Sequence, residues 1–426
     1  MIEGWFSSRL ADADCRVEWI PLARSNEWRF EDGVITHRSK GFFTVVGMRW
    51  TSPAGHVIER PFLDQQEVGT LGFLTRERDG IRQLLVQAKI EPGNVGLVQL
   101  APTCQATDSN ARRLHGGVSP PFIGSFPPAG PNVLYDVAQS EQGTRFLGKR
   151  NRNALVIASG EEPVPVTHSW LDVDAVLDLL WRDFTVNTDA RSVLVCAPWR
   201  HLVSKEPFSR YGDGFGAELM ASLHSSSHHV SLEDVKENVR RLRITTQDPK
   251  IVSLEELPLW HWTEEGLSPT EGSSFRVRHI GVTVSGREVP AWDQPIVESG
   301  STGRVSLVAA RLDGILHFLF RAQPEPGLGS KVELTPTIVV EPGDAADESS
   351  TGRWQGKVVA ECLQSEEGGR FYRDTNAYRV VDIGMAGDAG PNGYWLTLGD
   401  VRLLLDEPGW LTNEARSALS LLLPWM

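Results

Sequence analysis

Two stretches hold the side chains best suited to chemistry. Residues 105–117, QATDSNARRLHGG, gather Gln105, Thr107, Ser109, Asn110, Arg112, Arg113 and His115 in one short run. Residues 147–153, LGKRNRN, place Lys149, Arg150 and Arg152 close together, interleaved with Asn151 and Asn153. The ordinary pKa of His is near neutrality, so His115 can give or take a proton. Arg presents a planar fork that fits phosphate oxygens. The pattern suggests a pocket for an anionic ligand with an acid–base group beside it; a solvated basic loop is the plainer alternative. Glu141 lies just upstream and reads either as an acid–base partner or as a structural acceptor for backbone N–H groups or Arg145.

The rest of the chain bounds these readings. It has 426 residues, 40% hydrophobic and 23% charged, an ordinary globular composition. The net charge of −13 argues against a general nucleic-acid or anionic-membrane surface. No apolar run approaches the roughly 18 residues of a membrane helix. The first residues, MIEGWFSSRLADADCRVEW, carry acids and no apolar stretch, so no signal peptide is expected. Cys15, Cys104, Cys196 and Cys362 form no CxxC pair and fit reduced thiols in a cytoplasmic protein. His224, His228 and His229 lack the spacing and acidic third ligand of a zinc helix, and no metal site is expected. There is no GxGxxG after a strand, no Walker loop and no GxSxG, which weighs against dinucleotide redox, P-loop and serine-esterase chemistry.

An internal repeat shows which elements must position the polar stretches. DGIRQLLVQAKIEPGNVGLVQLAPT (79–103) matches DGILHFLFRAQPEPGLGSKVELTPT (313–337) at 12 of 25 positions without a gap. QSEQGTRF (139–146) matches QSEEGGRF (364–371) at six of eight. Two copies of one unit, rather than a solenoid, are implied. We expect a first repeat over 1–200, a helical connection over 201–260 and a second repeat over 261–426. Asp79-Gly80 and Asp313-Gly314 between apolar runs predict type I′ hairpins. Strands are expected over 42–48, 133–138, 154–158, 279–284, 356–361 and 378–383, and helices over 171–183, 231–243 and 398–405. Ser231 should cap the second of these. The expected class is α+β, an α/β layered module in each copy.

The copies are unequal. After the shared Pro-Thr, the first continues CQATDSNARRLHGG and the second IVVEPGDAADESS. LGKRNRN in the first is replaced by YRDTNAY in the second. A site for an anion therefore belongs to the first copy. Of the 14 Trp residues, Trp28 or Trp50 is expected to stack on a ring.

At VQAKIEPGN, QLAPTCQATDSNARRLHGG, QSEQGTRFLGKRNRN, REVPAWDQP (287–295), HFLFRAQPEPG (317–327) and QSEEGGRFY, the sequence resembles the NDP-hexose 2,3-dehydratases of deoxysugar biosynthesis. The resemblance covers nearly the whole chain. It implies two tandem Nudix-like modules from gene duplication, a tight homodimer, and two sugar-nucleotide pockets, one of them vestigial. Asp108 and Ala111 stand where Arg and Tyr are expected in relatives, and Val339 stands where Gln105 would recur. The reaction implied is loss of the C2 hydroxyl from a TDP-4-keto-6-deoxyhexose, giving a TDP-3,4-diketo-2,6-dideoxyhexose without a cofactor. The implied catalytic groups are His115 with Glu141 or Lys149. Thr103, Gln105, Ser109, Asn110, Arg113, Arg150, Asn151 and Arg152 would bind substrate. A Nudix-like NDP-sugar hydrolase and a non-catalytic sugar-nucleotide-binding protein are the alternatives. The glutamate box of Nudix hydrolases (REUxEExGU) is missing, which weighs against the first of these.

Overall fold

Asp79 and Gly80 have φ of 54° and 76°, and Asp313 and Gly314 have φ of 49° and 79°. Both turns thus have positive φ at both central residues, and each joins two ten-residue strands, Gly69–Arg78 to Ile81–Ile90 and Gly303–Leu312 to Ile315–Pro324. This is a computed structural model describing all residues except 1, 114–117, 161–162, 213, 271–274, 286–288 and 344–352. Around each hairpin a larger mixed sheet forms. In the first half the order is Val133–Ser140, Arg150–Ile157, Gly69–Arg78, Ile81–Ile90 and His168–Asp172. In the second it is Val332–Pro336, Ile315–Pro324, Gly303–Leu312, Thr375–Met385 and Lys357–Ser365. Each sheet has a matching parallel pair, Arg150–Ile157 on Gly69–Arg78 and Thr375–Met385 on Gly303–Leu312. The class is α+β with two similar halves, and no described helix is long and apolar enough to cross a membrane.

The halves are laced together rather than merely adjacent. The strand ahead of the first half, Cys15–Trp19, pairs with Arg276–Val284 of the second. Lys250–Val252, at the end of the connection, pairs with Thr44–Thr51 of the first. The connection is thus helical only in part: Gly214–Leu223 and Leu232–Thr245 are helices, and the latter is capped by Ser231 as its sequence suggests. Two fully buried helices, Thr188–Cys196 and Asn413–Ser420, pack on each other at the centre of a core shared by both halves. Each buries an arginine whose donors are met. Arg191 donates to the Val186 carbonyl (3.0 Å), the Leu180 carbonyl (2.9 Å) and Ser420 Oγ (3.0 Å). Arg416 donates to Ser192 Oγ (2.8 Å) and the Leu411 carbonyl (2.6 Å). Met donors make a buried charge tolerable where an unpaired one would be costly.

The Glu-Pro-Gly segments interlock with the opposite half. Gly93 N–H donates to the Gly368 carbonyl and Gly327 N–H to the Gly143 carbonyl, both at 2.8 Å. A Cβ on Gly93 would lie 1.7 Å from the Phe371 oxygen, and one on Gly327 1.8 Å from the Phe146 oxygen. Because the obstacle is backbone, Gly93→Ala and Gly327→Ala are each expected to lose at least about 1–3 kcal/mol of stability. Urea unfolding reads this directly, and an unshifted midpoint would show that the seam yields.

Two expected elements differ. The helix expected over 171–183 starts only at Val173, because His168–Asp172 joins the sheet edge beside Ile81–Ile90. Residues 150–153, readable as a basic loop, form the start of a strand. Their polar character masks a period-two pattern, with Asn151 and Asn153 buried and Arg150 and Arg152 half-buried.

Candidate functional site

A cavity of about 830 Å³ opens on the first half's larger sheet. Lys89 and Glu91 reach it from the end of the Ile81–Ile90 strand, and Thr103, Gln105 and Asn110 from the segment after the shared Pro-Thr. Lys149 and Asn151 come from the start of the Arg150–Ile157 strand. Asn187 caps the helix Thr188–Cys196, its Oδ1 accepting the Ala190 N–H at 2.8 Å, and this sets Asp189 in the first turn, facing the cavity. The second half supplies the facing wall, including Asp293, Gln294, Glu367 and Arg370. An aromatic rim of Trp28, His37, Phe42 and Phe43 closes one end.

Hydrogen bonds fix the floor. Gln105 donates to Glu91 Oε1 (3.2 Å) and accepts from Asn187 Nδ2 (2.9 Å). Lys89 donates to the Gln105 carbonyl (3.0 Å) and pairs with Glu91 (3.5 Å). Lys149 donates to the Glu67 carbonyl at 2.8 Å. Glu67 in turn accepts the Ser109 N–H (2.6 Å) and Ser109 Oγ (3.0 Å), which ties the polar 105–113 segment to the wall. Arg370 donates to Gln65 Oε1 (3.1 Å) and lies over the Phe43 ring at 4.3 Å.

Burial and neighbouring charges shift several ionisable groups of the cavity. Burial lowers the Lys149 amine below its ordinary value, opposed by the charges of Glu367, Glu141 and Glu67. Burial holds the Asp189 carboxyl well above its ordinary range, and the charges of Glu367, Glu141 and Glu91 push the same way against Lys89. Burial likewise lowers His37, opposed by Glu27 and Asp293. Asp293 behaves differently: burial would raise it, but hydrogen bonds from His279 and Ser25 outweigh that and hold it low.

The other residues singled out from sequence are placed as follows. Glu141 is fully buried behind the wall, its oxygens accepting Asn151 Nδ2 (2.7 Å) and Asn413 Nδ2 (2.9 Å). Burial raises its carboxyl, opposed by Arg416. Arg150 and Arg152 are not among the lining residues. Arg152 instead pairs with Asp136 across the sheet and donates to the Phe126 carbonyl at 3.3 Å. Arg113 is exposed, with φ of 58°. His115 lies outside the described residues. Trp28 reaches the cavity, whereas Trp50 is buried with its Nε1 on the Gln247 carbonyl (2.9 Å). Sequence reasoning missed His37, Lys89, Asp189, Glu367 and Arg370. A signal for Glu367 was present, since QSEEG in the second copy differs from QSEQG in the first by that carboxylate.

The equivalent region of the second half lacks both lysines. By the repeat offsets, Lys89 becomes Gln323 (89 + 234), Lys149 becomes Asp374 (149 + 225) and Asp189 becomes Glu414 (189 + 225). Glu325, Glu366, Glu414 and Asp374 are buried there, all with carboxyls raised mainly by burial, Asp374 to about 6 and Glu414 to about 7. Arg145, the counterpart of Arg370, stands among them, 3.5 Å from Glu341 and 4.4 Å from the Phe275 ring.

Comparison with known proteins bears on this geometry. The chain matches the family described as NDP-hexose 2,3-dehydratase over residues 1–197 and 237–422. It is 34% identical to a dTDP-4-dehydro-6-deoxy-alpha-D-glucopyranose 2,3-dehydratase of Saccharopolyspora spinosa, over 98% of this chain and 89% of that protein. Proteins of the same description from Amycolatopsis orientalis (33%; 98% and 89% covered) and Streptomyces violaceoruber (34%; 92% and 90% covered) are similar throughout.

Proposed function

Because the chain belongs to the NDP-hexose 2,3-dehydratase family, we propose that it removes the C2 hydroxyl from dTDP-4-dehydro-6-deoxy-α-D-glucopyranose in the first-half cavity. The C4 ketone acidifies the C3–H. A base takes that proton, and the electrons pass through the C4 enolate to expel the C2 oxygen, which leaves as water once protonated. The resulting C2–C3 enol takes a solvent proton at C2 and becomes the 3,4-diketo sugar. Oxidation at C3 balances reduction at C2, so no redox cofactor is consumed.

The observation that carries this reading is one cavity lined by a buried lysine, Lys149, and a buried carboxyl, Asp189, whose lysine is replaced by Asp374 in the second half. Lys149 is the general acid for the leaving hydroxyl, because an ammonium with a lowered pKa gives up its proton more readily. Asp189, which burial pushes toward its neutral form, donates a hydrogen bond to the developing C4 oxyanion, a role worth most where water is excluded. Gln105 and Asn110 bind the sugar. Arg370 supplies a fork for the diphosphate. Trp28 and Phe43 offer apolar surface to the thymine. The second-half pocket is vestigial, since Gln323 and Asp374 replace the two lysines of the first. We further propose that each half is Nudix-like, that the pair arose by duplication, and that the protein works in the cytoplasm as a homodimer.

Mass spectrometry of the dTDP-sugar after incubation tests the proposal: loss of one water supports it, and an unaltered substrate counts against it. Arg152→Ala is expected to cost about 1 kcal/mol of stability, as for a partly exposed ion pair. It should leave KM close to wild type; a large rise in KM would move the diphosphate toward the other face of the strand.

A further inference from the structure

The loop that follows Ser365 belongs to the second half by sequence, yet it forms a wall of the first half's cavity. Gly93 N–H to the Gly368 carbonyl (2.8 Å) and Arg373 N–H to the Gly93 carbonyl (2.8 Å) pin it there. Its two charged side chains at the cavity are Glu367 and Arg370. The reciprocal loop of the first half enters the second half's acidic region, and there Gln142 stands in place of Glu367. The working cavity therefore receives a carboxylate from the opposite half, and its counterpart receives a neutral amide.

Three of the other four carboxyls lining the cavity are engaged by neighbours, although Glu91 Oε2 has no hydrogen-bond partner among the described residues. Glu91 accepts from Gln105 and pairs with Lys89. Asp293 accepts from His279 (2.8 Å) and from Ser25. Glu27 pairs with His37 at the rim (3.3 Å). Asp189 sits in the first turn of a buried helix, where burial favours its neutral form. Glu367 is half-buried, and its carboxylate has no hydrogen bond or ion pair with another described residue. Glu367 lines the same cavity as Lys149 and Asp189, the two groups assigned above, and its charge acts on both.

We propose that Glu367, carried by the second half, is the catalytic base that removes the C3 proton of the substrate bound in the first half's cavity. The C3–H bond breaks to the Glu367 oxygen, its electron pair forms the C2–C3 double bond by way of the enolate, and the C2–O bond breaks with the proton of Lys149 going to the departing hydroxyl. Glu367 then returns its proton to solvent, and Lys149 takes one up. The second copy is thus kept because it arms the first, whatever its own pocket binds.

This inference rests on the dehydratase reading, so wild-type turnover is measured first; its absence would remove that reading and say nothing of Glu367. With turnover established, Glu367→Gln is expected to lower kcat by about 10²–10⁴-fold, the range for a lost general base. Glu367→Gln should keep the wild-type unfolding midpoint and the wild-type Kd for dTDP, and should stop deuterium entry into the sugar from D₂O. Glu367→Asp should recover part of the rate, because a carboxylate remains. Near-wild-type turnover in Glu367→Gln would overturn the proposal. So would a comparable loss of dTDP binding, which would make Glu367 a binding or folding residue.

Discussion

Lys149→Met is expected to lower kcat by about 10²–10⁴-fold while changing stability by only about 1–2 kcal/mol. The side chain is buried (4% exposed) and has one hydrogen bond, to the Glu67 carbonyl at 2.8 Å. Met matches its length and avoids the cost of burying an ammonium, so the folded state loses little beyond that one bond. Catalysis loses the proton that the leaving hydroxyl needs. The cavity also keeps Glu141, Glu367 and Glu67 with less compensating charge. A pH–rate profile gives a second signature. A group that acts as an acid fails once it deprotonates, and burial lowers Lys149 below an ordinary lysine. The descending limb of kcat should therefore fall at lower pH than an unperturbed lysine would give. Full turnover in Lys149→Met, or a descending limb absent up to the ordinary lysine range, would remove Lys149 from the reaction.

The second large effect concerns stability. Glu325, Glu366, Glu414 and Asp374 all have folded-state carboxyls above their ordinary values, chiefly through burial. A carboxyl raised by folding stabilises fully below its unfolded pKa, and that contribution is lost as pH rises through the folded value. For Asp374 the window runs from 3.8 to about 6, and for Glu414 from 4.5 to about 7. The protein should therefore be more stable near pH 5 than near pH 8, by on the order of a few kcal/mol summed over the cluster. Glu414→Gln should flatten the dependence and raise the unfolding midpoint above neutral pH, with turnover little changed, because Glu414 lies in the second half's region. Midpoints that climb steadily from pH 5 to pH 8 would contradict this origin of the acidic cluster.

The repeat, the two hairpins and the imbalance between the copies were all legible in the sequence, because each is a local or directly comparable pattern. That imbalance pointed to Gln105, Lys149 and Asn151, and all three line the cavity. The strand Arg150–Ile157 was half hidden, since its first residues are polar on both faces and no hydrophobic alternation marks them. Its alternation sends Asn151 one way and Arg152 to Asp136 the other, which a reading of it as one basic loop merges. Asp189 and Arg370 were out of reach for another reason. They arrive through the packing of the two central helices and the exchange of loops between halves, contacts that span much of the chain and leave no local spacing to read. His37 lay in plain view, but a single histidine in a strand carries no pattern of its own.

The central claim is that one half's cavity, completed by the other half, eliminates water across C2 and C3. Proton NMR of dTDP-4-dehydro-6-deoxy-α-D-glucopyranose in D₂O with the enzyme tests it most directly. We expect loss of the C3–H signal and appearance of a C2 centre carrying solvent deuterium, in wild type and not in Lys149→Met or Glu367→Gln. A spectrum that does not change with the wild-type protein, or one that changes equally with both variants, would contradict it.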